Sequence, residues 1–280
     1  MRIPAALAAE WADEPEWLAA LLDLVRECAE VWGLDLEEPI DTPHSLVVPA
    51  GDAVLKVNAP SHFEADHEAD ALAWWDGAGT ARLLARDDAR RAFLIERCRP
   101  GTTLWDAGVD EPEVVARLLP RLWLEPRDPH PFRLAAHEAE RWAEEVPRRY
   151  SFAGRPFERP LLDVALDVFR SADRGARVLV NQDLHGGNVL RAEREPWLVV
   201  DPKPLVGERE LDGVGLLRNA VLNDDGSTGG RRWLAVLEGL GLDRDRLRGW
   251  GLAHALAWGW SDEDGWLARS VAAARAIAAL

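Results

Sequence analysis

Asp183, Asn188 and Asp201 are the residues from which a chemistry can be read. In the stretch VLVNQDLHGGNVLRAEREPWLVVDPKP, residues 178–204, one apolar run ends at Asp183 and a second opens at Asn188. A third ends at Asp201, with Pro202 and Lys203 behind it. A carboxylate at a strand end, beside a loop with two glycines, is placed to accept a proton. An amide oxygen next to a second carboxylate makes a hard oxygen pair of the kind that holds magnesium. The thirteen-residue step from Asn188 to Asp201 suits a hairpin, with strands NVLRAE and WLVVD around a turn near Arg194-Glu195-Pro196. Because a hairpin brings its ends together, the spacing predicts Asn188 and Asp201 side by side.

Phosphoryl transfer to an alcohol needs these parts. A carboxylate orients the hydroxyl and takes its proton, while a metal and cations offset the charge on the moving group. An Asp, a five-residue step to an Asn and an Asp on the following strand is the kinase order. A lone D-x-x-x-x-N is a weak signal, since most such loops are merely polar. The three strand ends taken together are far more specific.

The surrounding elements must hold these groups in place. Residues 14–32 put Leu18, Leu21, Leu22, Val25, Cys28, Ala29 and Trp32 on one stripe, an amphipathic helix closed by Gly33. HSLVVPAGDAVLKV predicts a hairpin turning at residues 50–52, and SHFEADHEADALAWWDG a helix with Ser61 as its N-cap. ARLLARDDARRAFLIERC predicts two strands around Asp87-Asp88. Past Pro100-Gly101 the pattern is mostly helical, at roughly 111–123, 132–148, 161–173, 209–222, 231–240, 243–260 and 262–279, with a polar glycine-rich loop at 223–230. The expected class is α+β. A small sheet-rich N-lobe would cover residues 1–98 and a larger, mostly helical C-lobe residues 99–280.

The formal net charge of −16 argues against nucleic acid as a partner, because phosphate binding needs a basic footprint. It suits a small cationic ligand, although an acidic surface more often serves solubility. Cys28 and Cys98 have no spacing that implies a disulfide framework or a zinc site. Glu10 and Asp13 interrupt the N-terminus before any signal-length apolar run, and the apolar tail SVAAARAIAAL is too short to span a bilayer. The expectation is a cytoplasmic protein with no membrane partner. Of 33 basic residues only two are lysine, Lys56 and Lys203. Arginine excess fits a GC-rich genome; a lysine that persists against it marks a place where a compact ammonium is needed.

NQDLHGGNVL followed by VVDPKP resembles the catalytic and metal loops of the aminoglycoside phosphotransferases. HEADAL, LIERCRPGT and NVLRAEREPWLVVDPKPLVGE are similar to its streptomycin kinase branch, which also contains hydroxyurea phosphotransferases. The resemblance runs from about residue 40 to 220. It implies a protein-kinase-like two-lobed fold, with ATP and magnesium as co-substrate. It further implies that Asp183 is the catalytic base, that Asn188 and Asp201 hold magnesium, and that Lys56 contacts the α- and β-phosphates. Glu68 would pair with Lys56, with Glu64, one turn earlier, as the alternative. The hinge would be IERC, where the Glu96 carbonyl and the Cys98 amide read adenine. Two departures stand out: Asn181-Gln182 replace the family's His-Gly, and IDTPHSLVVPAGD lacks a glycine-rich run, leaving Ser45 and backbone amides to cover the phosphates. The implied function is transfer of the γ-phosphate of ATP to a hydroxyl of an aminoglycoside, streptomycin first. A sugar or amino-alcohol kinase, and a nucleotide-binding protein without turnover, stay open as alternatives.

Other groups have less definite roles. His185 suits a structural hydrogen bond in the loop; Lys203 either steadies the loop or contacts substrate. Fourteen tryptophans stand against one tyrosine, and most belong in the core. Trp258 and Trp260 differ in lying beside Asp262, Glu263 and Asp264, and an aromatic wall with carboxylates is how a guanidinium or ammonium ligand is held. A helix junction with an acidic first turn would look the same.

Overall fold

The computed structural model describes residues 1–172, 177–223, 227–261 and 264–280, which divide into two compact units. The first comprises Met1–Thr102 and Leu190–Asp201; the second comprises Thr103–Val189 and Pro202–Leu280.

The first unit opens with helices α1 (Ala5–Glu10) and α2 (Pro15–Trp32). Pro15 suits the first turn of α2, where its missing N–H has no partner to lose. Gly33 ends the helix in the left-handed region, at φ 65°, and returns its N–H to Ala29 O. Strands β1 (Ser45–Ala50) and β2 (Ala53–Asn58) follow, then helix α3 (Glu68–Trp75) and strands β3 (Leu83–Asp87) and β4 (Ala92–Glu96). The sheet is antiparallel in the order β1-β2-β4-β3.

The pleat of these strands decides where Lys56 points. Leu46, Val48, Leu55, Val57 and Leu94 pack on Leu21, Val25 and Cys28 of α2. Phe93 and Ile95 pack with Leu72 of α3 and with Ala81 on the other face. Each fully buried leucine contributes about 1.5–3 kcal/mol. Side chains alternate along a strand, so Lys56, between Leu55 and Val57, must point to the α3 side. There it lies opposite Phe93 in the neighbouring strand, its ammonium 5.9 Å from the ring centre.

Ser61 does not cap a helix as its position suggested. Its N–H donates to Glu14 Oε1, Phe63–Ala65 forms one turn of 3₁₀ helix, and α3 begins only at Glu68. Glu64 thus lies in the 3₁₀ turn, and Glu68 is the first residue of α3 and is buried.

In the second unit, Asp110 caps helix α4 (Glu111–Leu122) by accepting from Glu113 N. Helices α5 (Ala135–Phe152) and α6 (Arg159–Arg170) lead to strand β5 (Val178–Asn181). The next two strands, β6 (Val189–Arg191) and β7 (Trp197–Val199), form the expected hairpin. Most of that hairpin belongs to the first unit. Val199 N donates to Gly79 O, Ala81 N to Val199 O, and Arg194 binds Glu96 along with the carbonyls of Gly77 and Thr80.

The second unit resumes with strand β8 (Pro204–Gly207) and helices α7 (Gly213–Asn223), α8 (Ser227–Gly239) and α9 (Arg244–Ala257). A short hairpin of β9 (Trp260–Ser261) and β10 (Gly265–Trp266) precedes α10 (Ala268–Ala278). Helix α9 packs against α6, α7 and α10, and every residue from Trp250 to Ala257 is buried. Such all-round burial marks a central helix.

Two expectations change here. The stretch 223–230 is helical from Ser227 rather than a loop, with residues 224–226 outside the described set. The last helix starts at Ala268, because the chain first turns back through Gly265 at φ 72°. Among the described residues, no helix is long and apolar enough to cross a membrane.

Candidate active site

In the first unit, Lys56 Nζ lies 2.8 and 2.6 Å from the two carboxylate oxygens of Glu68 and also donates to Asp201 Oδ1. Lys56 and Glu68 are 5% and 1% exposed. Of the two glutamates left open by the sequence, Glu68 is the one that meets the lysine. Burial alone would push the ammonium down, but Asp201 and Glu68 outweigh it and hold Lys56 above its ordinary range. An unpaired charge buried this deeply would be strongly destabilising, so the three groups depend on one another. Asp201 itself sits at φ 52°, a left-handed conformation unfavourable for any residue with a Cβ. Strain of this kind clusters at functional sites.

The remaining first-unit candidates are engaged within the fold. Ser45 is buried, and its hydroxyl donates to Asn58 Oδ1 at 2.6 Å, across the β1–β2 pair. This corrects the expectation that Ser45 covers phosphate, since its one O–H is directed into the sheet. The Glu96 side chain is clasped by Arg194 at 2.6–3.0 Å, and its N–H donates to Arg82 O. Burial, with help from Glu96, pushes the Cys98 thiol up to about 11, so at neutral pH it is a thiol and not a thiolate.

In the second unit, antiparallel pairing of β5 with β8 builds the loop that carries Asp183. Asn181 lies opposite Pro204, and Gln182 N donates to Lys203 O. The fully buried Asn181 accepts at its side-chain oxygen from Asp183 N (3.1 Å) and from Lys203 N (2.9 Å). One amide oxygen thus joins the two arms of the loop, in the position where the resembled family carries histidine. Asn181 N donates to Asp212 Oδ1, and Trp123 Nε1 donates to Asp212 Oδ2. Burial pushes Asp212 up to about 7, against the two N–H donors that favour its ionised form.

This framework sets two cations on the carboxylate of Asp183. Lys203 Nζ is 3.3 Å from Oδ2, and Arg218 of α7 is 3.1 Å from Oδ1. Lys203, whose role the sequence left undecided, therefore touches the candidate base. His185 Nδ1 accepts from Gly187 N, and its Nε2 lies 4.0 Å from Asp183 Oδ2. Asn188 donates its amide N–H to Asp183 O at 3.3 Å, which leaves the amide oxygen as the atom suited to a cation.

Trp258 and Trp260 do not sit as an open wall for a foreign cation. Trp258 has Lys203 and Arg218 near its ring, at 5.9 and 5.8 Å, and Trp260 has Arg149 at 5.5 Å, with Phe152 and Trp266 around it. The protein's own cations take those positions. Asp262 and Glu263, their expected partners, lie outside the described residues. Two cavities flank α7. One, of about 240 Å³, is bounded by Trp105, Asp110, Glu111, His185, Asn219 and Arg232. The other, of about 220 Å³, is bounded by Arg218, Trp258, Arg269 and Ser270. The carboxylates belong to the first and the guanidiniums mostly to the second.

Arg218, Asp212 and Trp105 were not singled out from the sequence. Arg218 is one of 31 arginines and carries no local signal. As for metal, the Asp201 carboxylate and the Asn188 amide oxygen are hard donors of the type magnesium takes, usually one or two from protein with the rest from phosphate and water. Among the described residues, no three His, Cys, Asp or Glu side chains gather into a metal cage.

Residues 35–265 match the family described as aminoglycoside/hydroxyurea antibiotic resistance kinase. A streptomycin 6-kinase of Streptomyces glaucescens is 35% identical, over 100% of this chain and 97% of its own. A hydroxyurea phosphotransferase of Kitasatospora aureofaciens is 35% identical, over 94% of this chain and 80% of its own. Among solved structures, a choline kinase from Streptococcus pneumoniae superposes with a TM-score of 0.64 at 12% identity, covering 93% of this chain and 99% of that one. That likeness is one of fold, and the neighbours are protein-kinase-like. The match of family and relatives over nearly the whole length places this chain in the aminoglycoside/hydroxyurea antibiotic resistance kinase family.

Proposed function

We propose that the chain is an ATP-dependent O-phosphotransferase that moves the γ-phosphoryl group onto a hydroxyl of an aminoglycoside, with streptomycin as the leading acceptor. The observation that carries the reaction class is Lys56, buried and held between Glu68 and Asp201. A rigidly held ammonium beside a carboxylate at a strained turn suits the charge of a nucleotide polyphosphate and its metal. The acceptor is supported by the 35% identity to streptomycin 6-kinases across the chain.

In this reading ATP supplies the phosphoryl group, and Asp201 and Asn188 would hold the magnesium that would offset its charge. Lys56 neutralises part of the α- and β-phosphate charge. Asp183, oriented by Lys203 and Arg218, accepts the proton of the attacking hydroxyl. The cationic groups of the acceptor find the Glu111 carboxylate in the cavity beside His185, where Asp110 is already paired with Arg232 and caps α4. The hinge backbone at Glu96–Cys98 reads the base.

The test is ADP release by the purified chain with MgATP and a panel of streptomycin, other aminoglycosides, hydroxyurea, choline and sugar alcohols, with product mass checked for one added phosphate. Preference for streptomycin is the expected result. Preference for choline or a sugar alcohol would move the chain to metabolite kinases. Nucleotide binding with no turnover of any acceptor would remove the enzymatic reading.

A further inference from the structure

We infer that Trp105 is a positioning residue that sets the spacing between Asp183 and Asn188 by covering and holding the two-glycine 3₁₀ turn between them. The role of that turn in phosphotransfer rests on the function proposed above; the contact itself does not. Leu104, almost fully buried, donates its N–H to both Gly186 O (3.0 Å) and Val189 O (2.8 Å), which straps the chain across the loop. The next residue lays its indole on the turn. Trp105 stacks on His185 with ring centres 4.8 Å apart and planes 9° from parallel.

The glycines show how close that contact is. A Cβ on Gly186 would stand 2.5 and 2.7 Å from Trp105 Cδ1 and Nε1, and one on Gly187 would stand 2.8 Å from Trp105 Cζ3. Neither glycine has a positive φ, so what they provide is room and not backbone freedom. The ring also fixes His185, whose Nδ1 holds Gly187 N and whose carbonyl holds Asn188 N. The indole thus covers the imidazole and both glycines of the 3₁₀ turn Gly186–Asn188, which lies between the candidate base and the candidate metal amide. Trp105 remains 44% exposed, so this contact, more than core burial, accounts for its placement.

The experiment compares Trp105→Ala, Trp105→Phe, Gly186→Ala and the double variant Trp105→Ala/Gly186→Ala in the full chain, with MgATP and streptomycin. Trp105→Ala is expected to lower kcat by about 10²-fold, the cost of ångström-scale misplacement, with a smaller rise in the KM for streptomycin because the indole also bounds the cavity beside His185. Trp105→Phe, which still covers the turn, should restore most of the rate. Gly186→Ala alone should lower kcat because its methyl strikes the indole; in the Trp105→Ala background the methyl meets only the end of the Glu111 side chain, 3.2 Å away and able to shift, and should lower kcat little further.

A raised streptomycin KM at unchanged kcat would overturn the inference and make Trp105 an acceptor wall. Multiplicative effects of the two single changes would overturn it as well. If Gly186→Ala does not fold, the Ala-versus-Phe contrast at residue 105 decides alone. Two readouts separate this inference from the acceptor reading: acceptor-free hydrolysis of MgATP, and amide hydrogen exchange over residues 183–189. Should wild type leave streptomycin unphosphorylated, the acceptor reading fails. The inference then stands only if Trp105→Ala, and not Trp105→Phe, slows hydrolysis or speeds exchange in that loop.

Discussion

His254 yields a quantitative prediction that needs no substrate. The side chain is fully buried on α9, and among the described residues neither ring nitrogen meets a hydrogen-bond partner. It packs edge-on against Trp142, centres 5.7 Å apart, and tilted against Trp258 at 4.4 Å. Burial first, and then the charge of Arg218, hold its pKa well below the usual 6.5. The fold therefore keeps His254 neutral where the unfolded chain takes up a proton. A lowered folded pKa contributes stability that is present above about pH 6.5 and lost as pH falls below it. Between about pH 7.5 and 5.5 one such histidine removes about 1.4 kcal/mol. For a chain of 280 residues that is about 2–3 °C in Tm. His254→Leu keeps a similar volume and deletes the titration. Urea unfolding of both proteins at the two pH values gives the test, since other titrating groups cancel in the difference. The stability of the variant relative to wild type should rise by about 1.4 kcal/mol on going to the lower pH. An unchanged difference would mean that the fold accommodates an imidazolium, and the burial argument would be wrong.

Four further outcomes are expected. Asp183→Asn should lower kcat by about 10²–10⁴-fold, as loss of a general base does, while calorimetry still detects nucleotide binding. Asp201→Ala should abolish the magnesium dependence of nucleotide affinity, read in the same calorimeter with and without the metal. Glu68→Ala leaves the Lys56 ammonium buried with Asp201 as its carboxylate partner and should cost about 3 kcal/mol in urea unfolding, whereas Lys56→Met with Glu68→Leu should cost less than either single change. Asp212, pushed up to about 7 by burial, has a raised folded pKa, so its contribution is complete below the usual carboxylate range and is lost as pH climbs through about 7. Asp212→Asn should accordingly gain stability relative to wild type between about pH 4 and 7, read by unfolding across that range.

The parts of this protein legible from the chain alone are those whose cause is local. Valine-rich alternation around a Gly51 turn specifies the β1–β2 hairpin, and the same alternation turns Lys56 away from α2, because neighbours on a strand face opposite sides. The order Asp183, Asn188, Asp201, with strand-like runs between them, specifies a loop and a hairpin. The scarcity of lysine marked Lys56 and Lys203, and both prove to contact a carboxylate of the candidate site.

Tertiary structure decided the rest, because those contacts join residues that no short-range rule connects. Lys203 reaches Asp183 only through the register of β5 on β8, a strand that was not anticipated in PLVG. Glu68 meets Lys56 from the first turn of α3, while Glu64 falls in the 3₁₀ turn before it and not on the same helix. Arg218 faces Asp183, and Trp105 covers Gly186, across separations of 35 and 81 residues. Residue types and local periodicity determine which groups are present and which way each strand or helix turns them. Which pairs finally touch is set by how the elements pack, and that packing is a property of the whole chain.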